Sequence, residues 1–275
     1  MSRLPPPYPD GSCLVTGASS GIGAAIAGEL GRRGRGVALV ARREERLRAL
    51  AGELADRHGI RAEVLACDLA DPGQRRALPA RVDELGLRVD TLVNCAGIGA
   101  YGPFVELDPE RERLAVQLMC EAVVDLCRSF APAMARRRAG AILLVSSAIA
   151  VYSVPGYATY GAAKAFQLSF GEALRAELRS SRVAVTVLCP GPVETEFFAA
   201  NGPQLAQRGL PRRLWGDPDE VARVAVRALD RNRRVAVPGA TMRALVNAGR
   251  LLPREVQARA LAPALRRFSA SSAQA

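Results

Sequence analysis

The chain has 275 residues, 49% of them hydrophobic and 24% charged, which is an ordinary globular composition and long enough for one large domain. Its net charge of +11 raises the question of nucleic acid or a membrane surface. However, the arginines are scattered among Glu and Asp on predicted helices, so solvated helix faces are favoured and no nucleic-acid partner is predicted. No apolar run approaches the length of a bilayer span, and no metal site is predicted, because the cysteines are widely spaced and the single histidine, His58, lies in a turn.

A glycine-rich turn follows a Pro-rich lead-in (residues 1–10) and a short apolar strand. The turn stands directly before an apolar helical pattern, and its Gly-x3-Gly-x-Gly spacing is a variant of the dinucleotide-binding fingerprint. A turn in this position brings backbone N–H groups and a helix N-terminus onto a phosphate. The residues expected to bind a nucleotide cofactor here are Gly17, Ser19, Ser20, Gly21, Ile22 and Gly23.

A second apolar strand, over residues 37–41, is followed by Arg42. In dinucleotide-binding folds the end of this strand meets the adenosine ribose. An acidic residue there binds the 2′-hydroxyl, whereas an arginine pairs with a 2′-phosphate. Arg42 therefore favours NADP(H) over NAD(H). The alternative is that Arg42 only begins a charged helix in an arginine-rich chain.

Helical and apolar stretches alternate through the next part of the chain. Helices are predicted over residues 44–58, 72–85 and 109–138, and strands over 63–67, 91–93, 141–145 and 183–188. Continuously apolar strands that alternate with helices indicate a parallel sheet covered on both faces. Since motifs recur at the carboxyl ends of these strands, the site is expected at that edge of the sheet.

The last third of the chain shows no linker that would divide it, so a single domain over residues 1–275 is predicted. A helix is expected from Asp217, which is followed by Pro218 and two acidic residues. A last strand is predicted over 233–237. Residues 240–268 are amphipathic and basic, which predicts C-terminal helices, and residues 269–275 are predicted to be disordered.

The stretch Tyr160-Gly161-Ala162-Ala163-Lys164 holds the only lysine among 38 basic residues. On a helix, positions i and i+4 share a face, so the phenol and the ammonium are predicted to lie side by side. We expect the ammonium to lower the pKa of Tyr160 from its reference of about 10, which makes Tyr160 a candidate general acid or base. The alternative is an accidental helical pair, because the motif alone is weak.

Five motifs in order resemble the short-chain dehydrogenase/reductase family over about residues 11–200. The family's TGxxxGIG turn matches residues 16–23, its NNAG motif matches 94–97 with Cys95 as a departure, and its YxxxK motif matches 160–164. Ser147 stands thirteen residues before Tyr160, as the family's serine does, and Pro190-Gly191 match the PG motif. The resemblance implies a Rossmann-type doubly wound parallel α/β sheet of about seven strands in the order 3-2-1-4-5-6-7. Further cofactor contacts implied by it are Asp68, Leu69, Asn94, Ala96, Gly97, Pro190, Gly191, Val193 and Thr195.

The resemblance also implies a mechanism. Tyr160 donates a proton to a substrate carbonyl while NADPH delivers hydride, and Ser147 hydrogen-bonds the same oxygen. Lys164 lowers the Tyr160 pKa and, like Tyr160, contacts the cofactor. The chain departs from the family at Met119, where the family has an Asn that supports a water linking the lysine to solvent. A thioether holds a water poorly, so a modified relay is expected, with Gln117 as an alternative if the helix register shifts.

The predicted function is an NADPH-dependent carbonyl reductase that acts on a ketone of a hydrophobic or acyl-type substrate, most similar to the 3-oxoacyl and 17β-hydroxysteroid reductases. Substrate candidates, which include part of a loop over residues 192–216, are Phe104, Met119, Tyr157 and Phe197. One alternative is a cofactor-binding regulatory or scaffold protein with weak or no turnover, motivated by Met119. Another is a basic surface-binding protein, motivated by the charge.

Partners and compartment are predicted more coarsely. The resemblance favours a homodimer or homotetramer. Most of the six cysteines lie in apolar runs and read as buried free thiols, which favours a reducing, cytoplasmic compartment. The basic C-terminal helices are expected to pack on their own domain, and contact with a membrane surface is the less favoured alternative.

Overall fold

The computed structural model describes residues 4–197, 215–253, 255–257 and 259. Most of the predicted substrate loop (192–216) lies outside these residues, as do the predicted tail (269–275), the end of the predicted C-terminal helices and the start of the lead-in. Within the described part of the chain, every helix is too short or too polar to cross a membrane. The single domain over 1–275 stays a prediction.

Seven strands of the described chain form one sheet: β1 (Gly11–Thr16), β2 (Gly36–Ala41), β3 (Ala62–Ala66), β4 (Arg88–Asn94), β5 (Gly140–Val145), β6 (Val183–Leu188) and β7 (Val235–Ala236). All neighbours are parallel, and the order is β3-β2-β1-β4-β5-β6-β7, which confirms the predicted fold class and strand order. Every residue of β5 and β6 is buried, because these apolar strands are covered on both faces.

Eight α-helices of the described chain cover the sheet: α1 (Gly21–Arg32), α2 (Glu44–His58), α3 (Pro72–Glu84), α4 (Pro109–Val116), α5 (Ala122–Arg137), α6 (Ala158–Glu177), α7 (Pro218–Asp230) and α8 (Ala240–Leu251). Three of them begin with an Asp side chain that accepts backbone N–H groups, followed by a proline that already has a helical φ angle. The sequence therefore places these helix starts to within a residue.

The sheet separates two apolar cores. On one face, Ile26 of α1, Leu47 of α2 and Val226 of α7 belong to one buried cluster. On the other face, Leu126 of α5 and Leu168 of α6 belong to a second buried cluster. Burial of this apolar surface is the main force that holds the helices on the sheet. It leaves the carboxyl ends of the strands as the open edge of the fold.

The helix predicted over residues 109–138 is interrupted by a π turn, Gln117–Glu121, between α4 and α5. Such turns insert one extra residue into a helix and often occur at functional sites. Met119 lies in the middle of the turn and is fully buried. Apolar periodicity continues through the turn, so the sequence alone reads it as regular helix.

The basic C-terminal region begins as a helix packed against the domain. In α8, Val246 is fully buried, and the hydroxyl of Tyr152 donates to the Leu245 carbonyl. A Cβ on Gly249 would lie 2.6 Å from the Tyr152 ring, so the close approach requires glycine there. The first part of the basic C-terminal segment, α8, therefore packs on its own domain, as expected.

Candidate active site

A cavity of about 700 Å³ opens above the carboxyl ends of β1, β4, β5 and β6. Crossovers leave β1 and β4 in opposite directions, so the cavity lies at the switch point where open α/β sheets bind ligands. Most of the predicted site residues line it, namely Gly17, Ser19, Ser20, Gly21, Ile22, Gly23, Arg42, Asp68, Leu69, Ala96, Gly97, Ser147, Tyr157, Tyr160, Lys164, Pro190, Gly191, Val193, Thr195 and Phe197.

Three predicted residues lie outside this lining. Asn94 is buried below it, where its side-chain amide donates to Cys127 Sγ at 3.5 Å. Phe104 lies on a short 3₁₀ turn and is 61% exposed, so the structure does not place it against a substrate in the cavity. Met119 packs behind Gly97, where its Sδ lies 3.4 Å from the position of a Gly97 Cβ. Its side chain is therefore core rather than cavity wall.

The turn after β1 holds its backbone unusually close to its neighbours. Gly17 has a φ of +67°, and a Cβ there would lie 2.9 Å from the Cα of Ala96. A Cβ on Gly23 would lie 2.3 Å from the Gly17 carbonyl oxygen. The first turn of α1 carries no acidic residue, and Ser20 makes no side-chain cap. The N-terminal N–H groups of α1 thus remain available to an anion, and the turn fits the pyrophosphate of a dinucleotide.

Thr16 ties the two strands at the switch point together. Its hydroxyl donates to the Val93 carbonyl at 3.1 Å and accepts from the N–H groups of Cys95 (2.9 Å) and Ala96 (3.1 Å). The buried hydroxyl satisfies three backbone groups at the point where β4 ends. It fixes the distance between the phosphate turn and the segment after β4.

Two arginines lie where an adenosine ribose is expected. Arg42 lines the cavity, as predicted. Arg43, the residue before α2, donates to the hydroxyls of Ser19 (2.9 Å) and Ser20 (2.7 Å) and pairs with Glu196 at 2.9 Å. Hydrogen bonds from Arg43 and from a second arginine of α2 lower the pKa of Glu196. Sequence reasoning names only Arg42, although Arg43 follows the same strand end.

Ser147 lies beside Tyr160 in the cavity wall. The Ser147 hydroxyl also accepts from the N–H of Ile149 at 3.3 Å, which orients it. Burial raises the pKa of Tyr160 to about 12, even though the Ser147 side chain acts in the opposite direction. The phenol therefore keeps its proton at neutral pH, which is the form that can donate to a carbonyl oxygen.

Lys164 is nearly fully buried in α6, 5% exposed. Its Nζ donates to the Val145 carbonyl at 2.8 Å and to Gln167 Oε1 at 3.1 Å, and it lies 5.6 Å from the centroid of the Tyr160 ring. Burial lowers the pKa of Lys164 from 10.5 to about 8. The predicted net lowering of the Tyr160 pKa is wrong here, because burial of the phenol raises it.

Aromatic rings form the wall next to Tyr160. Tyr157 lies between Tyr101 and Tyr160, with ring centroids 4.6 Å and 5.7 Å away, and Phe197 lies 5.7 Å from Tyr160. Burial raises the pKa of Tyr157, which stays a neutral phenol. The lining of this half of the cavity is apolar and aromatic, as expected for Tyr157 and Phe197.

Helix α8 supplies further lining that the sequence does not single out. Met242 and Leu245 reach the cavity, and a Cβ on Gly191 would lie 2.6 Å from Met242 Cε. Their apolar periodicity is the same as that of any packing helix, so it carries no functional signal. Gln167 is also missed, although it stands three residues after Lys164 and so shares its helix face.

The model of the short chain dehydrogenase family matches residues 12–206. A short chain dehydrogenase of Pseudocercospora fijiensis is 38% identical over 194 residues, which are 68% of this chain and 61% of that protein. A very-long-chain 3-oxoacyl-CoA reductase of Anas platyrhynchos is 34% identical over 196 residues, 69% of this chain and 62% of that protein. The chain thus spans about three fifths of the length of these two relatives.

Solved structures give the same result over more of the chain. A short-chain dehydrogenase from Sphingobium yanoikuyae in complex with NADPH is 33% identical and superimposes with a TM-score of 0.78, covering 86% of this chain and 91% of that one. Other similar structures include complexes with NADP-type cofactors and with NAD. Nicotinamide cofactors are thus named for several of these similar structures, both with the 2′-phosphate and without it.

Proposed function

The chain belongs to the short-chain dehydrogenase family, and we propose that it is an NADPH-dependent carbonyl reductase that acts on a hydrophobic or acyl-type ketone. The oxidoreductase class follows from the family: the protein is an NAD(P)-dependent enzyme that acts on CH–OH and C=O groups. The observation that carries the proposal is the meeting of three parts in one cavity. These are the phosphate turn, the neighbouring pair Ser147 and Tyr160, and the buried ammonium of Lys164.

The cofactor would be held by residues whose geometry fits it. The turn at Gly17–Gly23 and the start of α1 would bind the pyrophosphate, and Asp68 with Leu69 would border the adenine. Gly191 and Thr195 follow β6 in the cavity lining and would border the nicotinamide, with Thr195 packed beside Gly21 of the phosphate turn. When bound, the reduced nicotinamide supplies a hydride to the carbonyl carbon of the substrate.

The chain's own groups handle the proton and the developing charge. Tyr160 would donate its phenolic proton to the carbonyl oxygen, since it is neutral at pH 7 and lies in the cavity wall. Ser147 would hydrogen-bond the same oxygen and stabilise the negative charge that forms there. Lys164 would hold the cofactor's ribose and stabilise the phenolate left on Tyr160.

Preference for NADP(H) over NAD(H) is supported by charge at the end of β2. Arg42 lines the cavity, and the Arg43 guanidinium lies beside Ser19 and Ser20. A 2′-phosphate offers the anionic oxygens that such groups bind, and arginine is suited to bidentate contacts with it. The expected result is a lower KM for NADPH than for NADH, measured with one substrate under matched salt.

The substrate class is supported by the lining. Apolar and aromatic side chains predominate where the substrate would lie, including Tyr157, Phe197, Met242 and Leu245. Such a wall favours a hydrophobic ketone or the acyl part of a 3-oxoacyl thioester over a charged or sugar-like substrate. We also propose a cytoplasmic homodimer or homotetramer, because the six cysteines are free thiols and members of this family commonly assemble.

A second candidate is a cofactor-binding protein with weak or no turnover. Met119 favours it, because a buried thioether stands at the position where the relay is expected to continue. NADPH oxidation measured over ketones, aldehydes, 3-oxoacyl thioesters and quinones separates the two. Turnover of a hydrophobic or acyl-type ketone supports the reductase. NADPH binding without turnover on any compound contradicts it and supports the second candidate.

A further inference from the structure

An amide outside the Tyr-Lys motif holds the Lys164 ammonium. Gln167 follows Lys164 by nearly one turn of α6 and is 1% exposed. Its Oε1 accepts from Lys164 Nζ at 3.1 Å, and its Nε2 donates to the Met119 carbonyl at 3.0 Å. An ammonium can only donate and a carbonyl can only accept, so these two partners fix the orientation of the amide.

The surroundings of the ammonium are neutral. Besides Tyr160 on the same helix, the titratable groups that act on Lys164 are Cys95 after β4, Cys120 in the π turn and Cys189 after β6. Burial raises the pKa of all three thiols, to about 12 for Cys95 and Cys189, so they remain uncharged at neutral pH. The protein therefore stabilises the buried ammonium through neutral acceptors.

Two protein acceptors satisfy two of the three N–H groups of this ammonium. The Val145 carbonyl takes one, and Gln167 Oε1 takes another. Because Lys164 also lines the cavity, the third N–H is left for a group bound there. Loss of either acceptor would free the ammonium to rotate, and it would leave a buried N–H without a partner.

We propose that Gln167 is a positioning residue, whose amide fixes the Lys164 ammonium at the cavity wall and anchors it to the Met119 carbonyl in the π turn. This inference rests on the proposed function, in which Lys164 contacts the cofactor and assists Tyr160. Met119 takes part through its backbone, so its thioether need not hold a water. In this arrangement the Gln167 amide, and not a water held by residue 119, connects the ammonium to the π turn.

The single lysine makes a direct test feasible. In protein labelled with ¹³C at lysine Cε, Lys164 gives the only lysine signal, and its chemical shift against pH reports the pKa of this one ammonium. We expect the midpoint of the parent titration at about 8. Gln167→Met keeps the shape of the side chain but removes the acceptor, so the midpoint should fall by about one pH unit or more.

Gln167→Glu is the opposing variant. It places a carboxylate on the ammonium, so the midpoint should rise by about one pH unit or more. Gln117→Met is the matched control, because Gln117 lies in the same π turn but is not among the described acceptors of Lys164. Its titration should match that of the parent. Opposite shifts in the two Gln167 variants support the inference, and two unshifted midpoints, or a shift in Gln117→Met, overturn it.

Turnover measured on the same proteins separates this inference from the proposed function. In the parent, kcat/KM for ketone reduction should fall above the pH at which Lys164 loses its proton, and the Gln167 variants should move that limb in the directions seen by NMR. Tyr160→Phe tests the proposed function by itself. If it keeps the parent's turnover, the proposed function fails while the NMR titrations still decide the role of Gln167. If it is inactive and the Gln167 midpoints do not move, only the inference about Gln167 fails.

Discussion

Replacing Lys164 by methionine should remove activity and, at neutral pH, also remove a large electrostatic penalty from the fold. Burial lowers the pKa of Lys164 from 10.5 to about 8. This shift corresponds to a penalty of about 3 kcal/mol at pH 6.5, where the folded and unfolded chains both carry the proton. The penalty is present in full below pH 8. It declines between pH 8 and 10.5, because the folded chain releases the proton before the unfolded chain does.

The measurement is the free energy of unfolding of the parent and of Lys164→Met, by urea denaturation followed by far-ultraviolet circular dichroism. The two chains share all other titrating groups, so the difference between them isolates Lys164. Going from pH 6.5 to pH 10, the stability of the parent should increase relative to that of the variant by about 2.5 kcal/mol. Leu168→Met, a neutral change in a buried position of the same helix, should show a difference that does not vary with pH. A pH-independent difference for Lys164→Met would refute a buried ammonium with a lowered pKa.

Two further substitutions test the cofactor half of the cavity. Gly23→Ala puts a Cβ 2.3 Å from the Gly17 carbonyl oxygen and should weaken NADPH binding at least about tenfold. The control is Gly28→Ala on the same helix, where a Cβ meets nothing within 4 Å and the Kd for NADPH should not change. Equal Kd values for both variants would contradict the binding of the pyrophosphate at the glycine-rich turn. Glu196→Gln releases Arg43 from its carboxylate partner, so the Kd for NADPH should fall several-fold while the Kd for NADH stays unchanged. Both Kd values are measured by fluorescence titration. An equal effect on both cofactors would show that Arg43 does not contact the 2′-phosphate.

The sheet is predictable from the sequence because its strands are continuously apolar and bounded by turns. Such strands are compatible with a parallel sheet that has helices on both faces. Because the phosphate turn and Ser147 each follow a strand of this sheet, they lie at the same carboxyl edge. The start of α7 is predictable for a local reason, since Asp217 and Pro218 set its cap. Local chemistry of this kind does not depend on the rest of the fold.

What the sequence does not reveal depends on side-chain direction and on burial. Arg42 and Arg43 are adjacent in sequence, yet only the fold shows that the second one reaches Ser19, Ser20 and Glu196. The net shift of the Tyr160 pKa is upward rather than downward, because spacing on a helix says nothing about desolvation. The hydrogen-bond partners of Lys164 are the Val145 carbonyl of β5 and the Gln167 side chain of its own helix, α6.

Met119 shows the same limit. An alignment by position compares side chains, and on that basis a methionine removes a polar group from the relay. In the folded chain the π turn presents the Met119 carbonyl instead, and Gln167 connects it to Lys164. A residue that compensates from another position, as Gln167 does, can be recognised only when its contacts are seen in the structure.

The most direct test of the central claim is the effect of Tyr160→Phe on turnover and cofactor affinity in the same preparation. The substitution removes the phenolic hydroxyl beside Ser147 and leaves the ring in place. With the best ketone from the panel, kcat should fall by about 10²- to 10⁴-fold, while the Kd for NADPH stays within about a factor of three. A variant that binds NADPH as the parent does and still reduces the ketone at the parent's rate would contradict the assignment of Tyr160 as the proton donor.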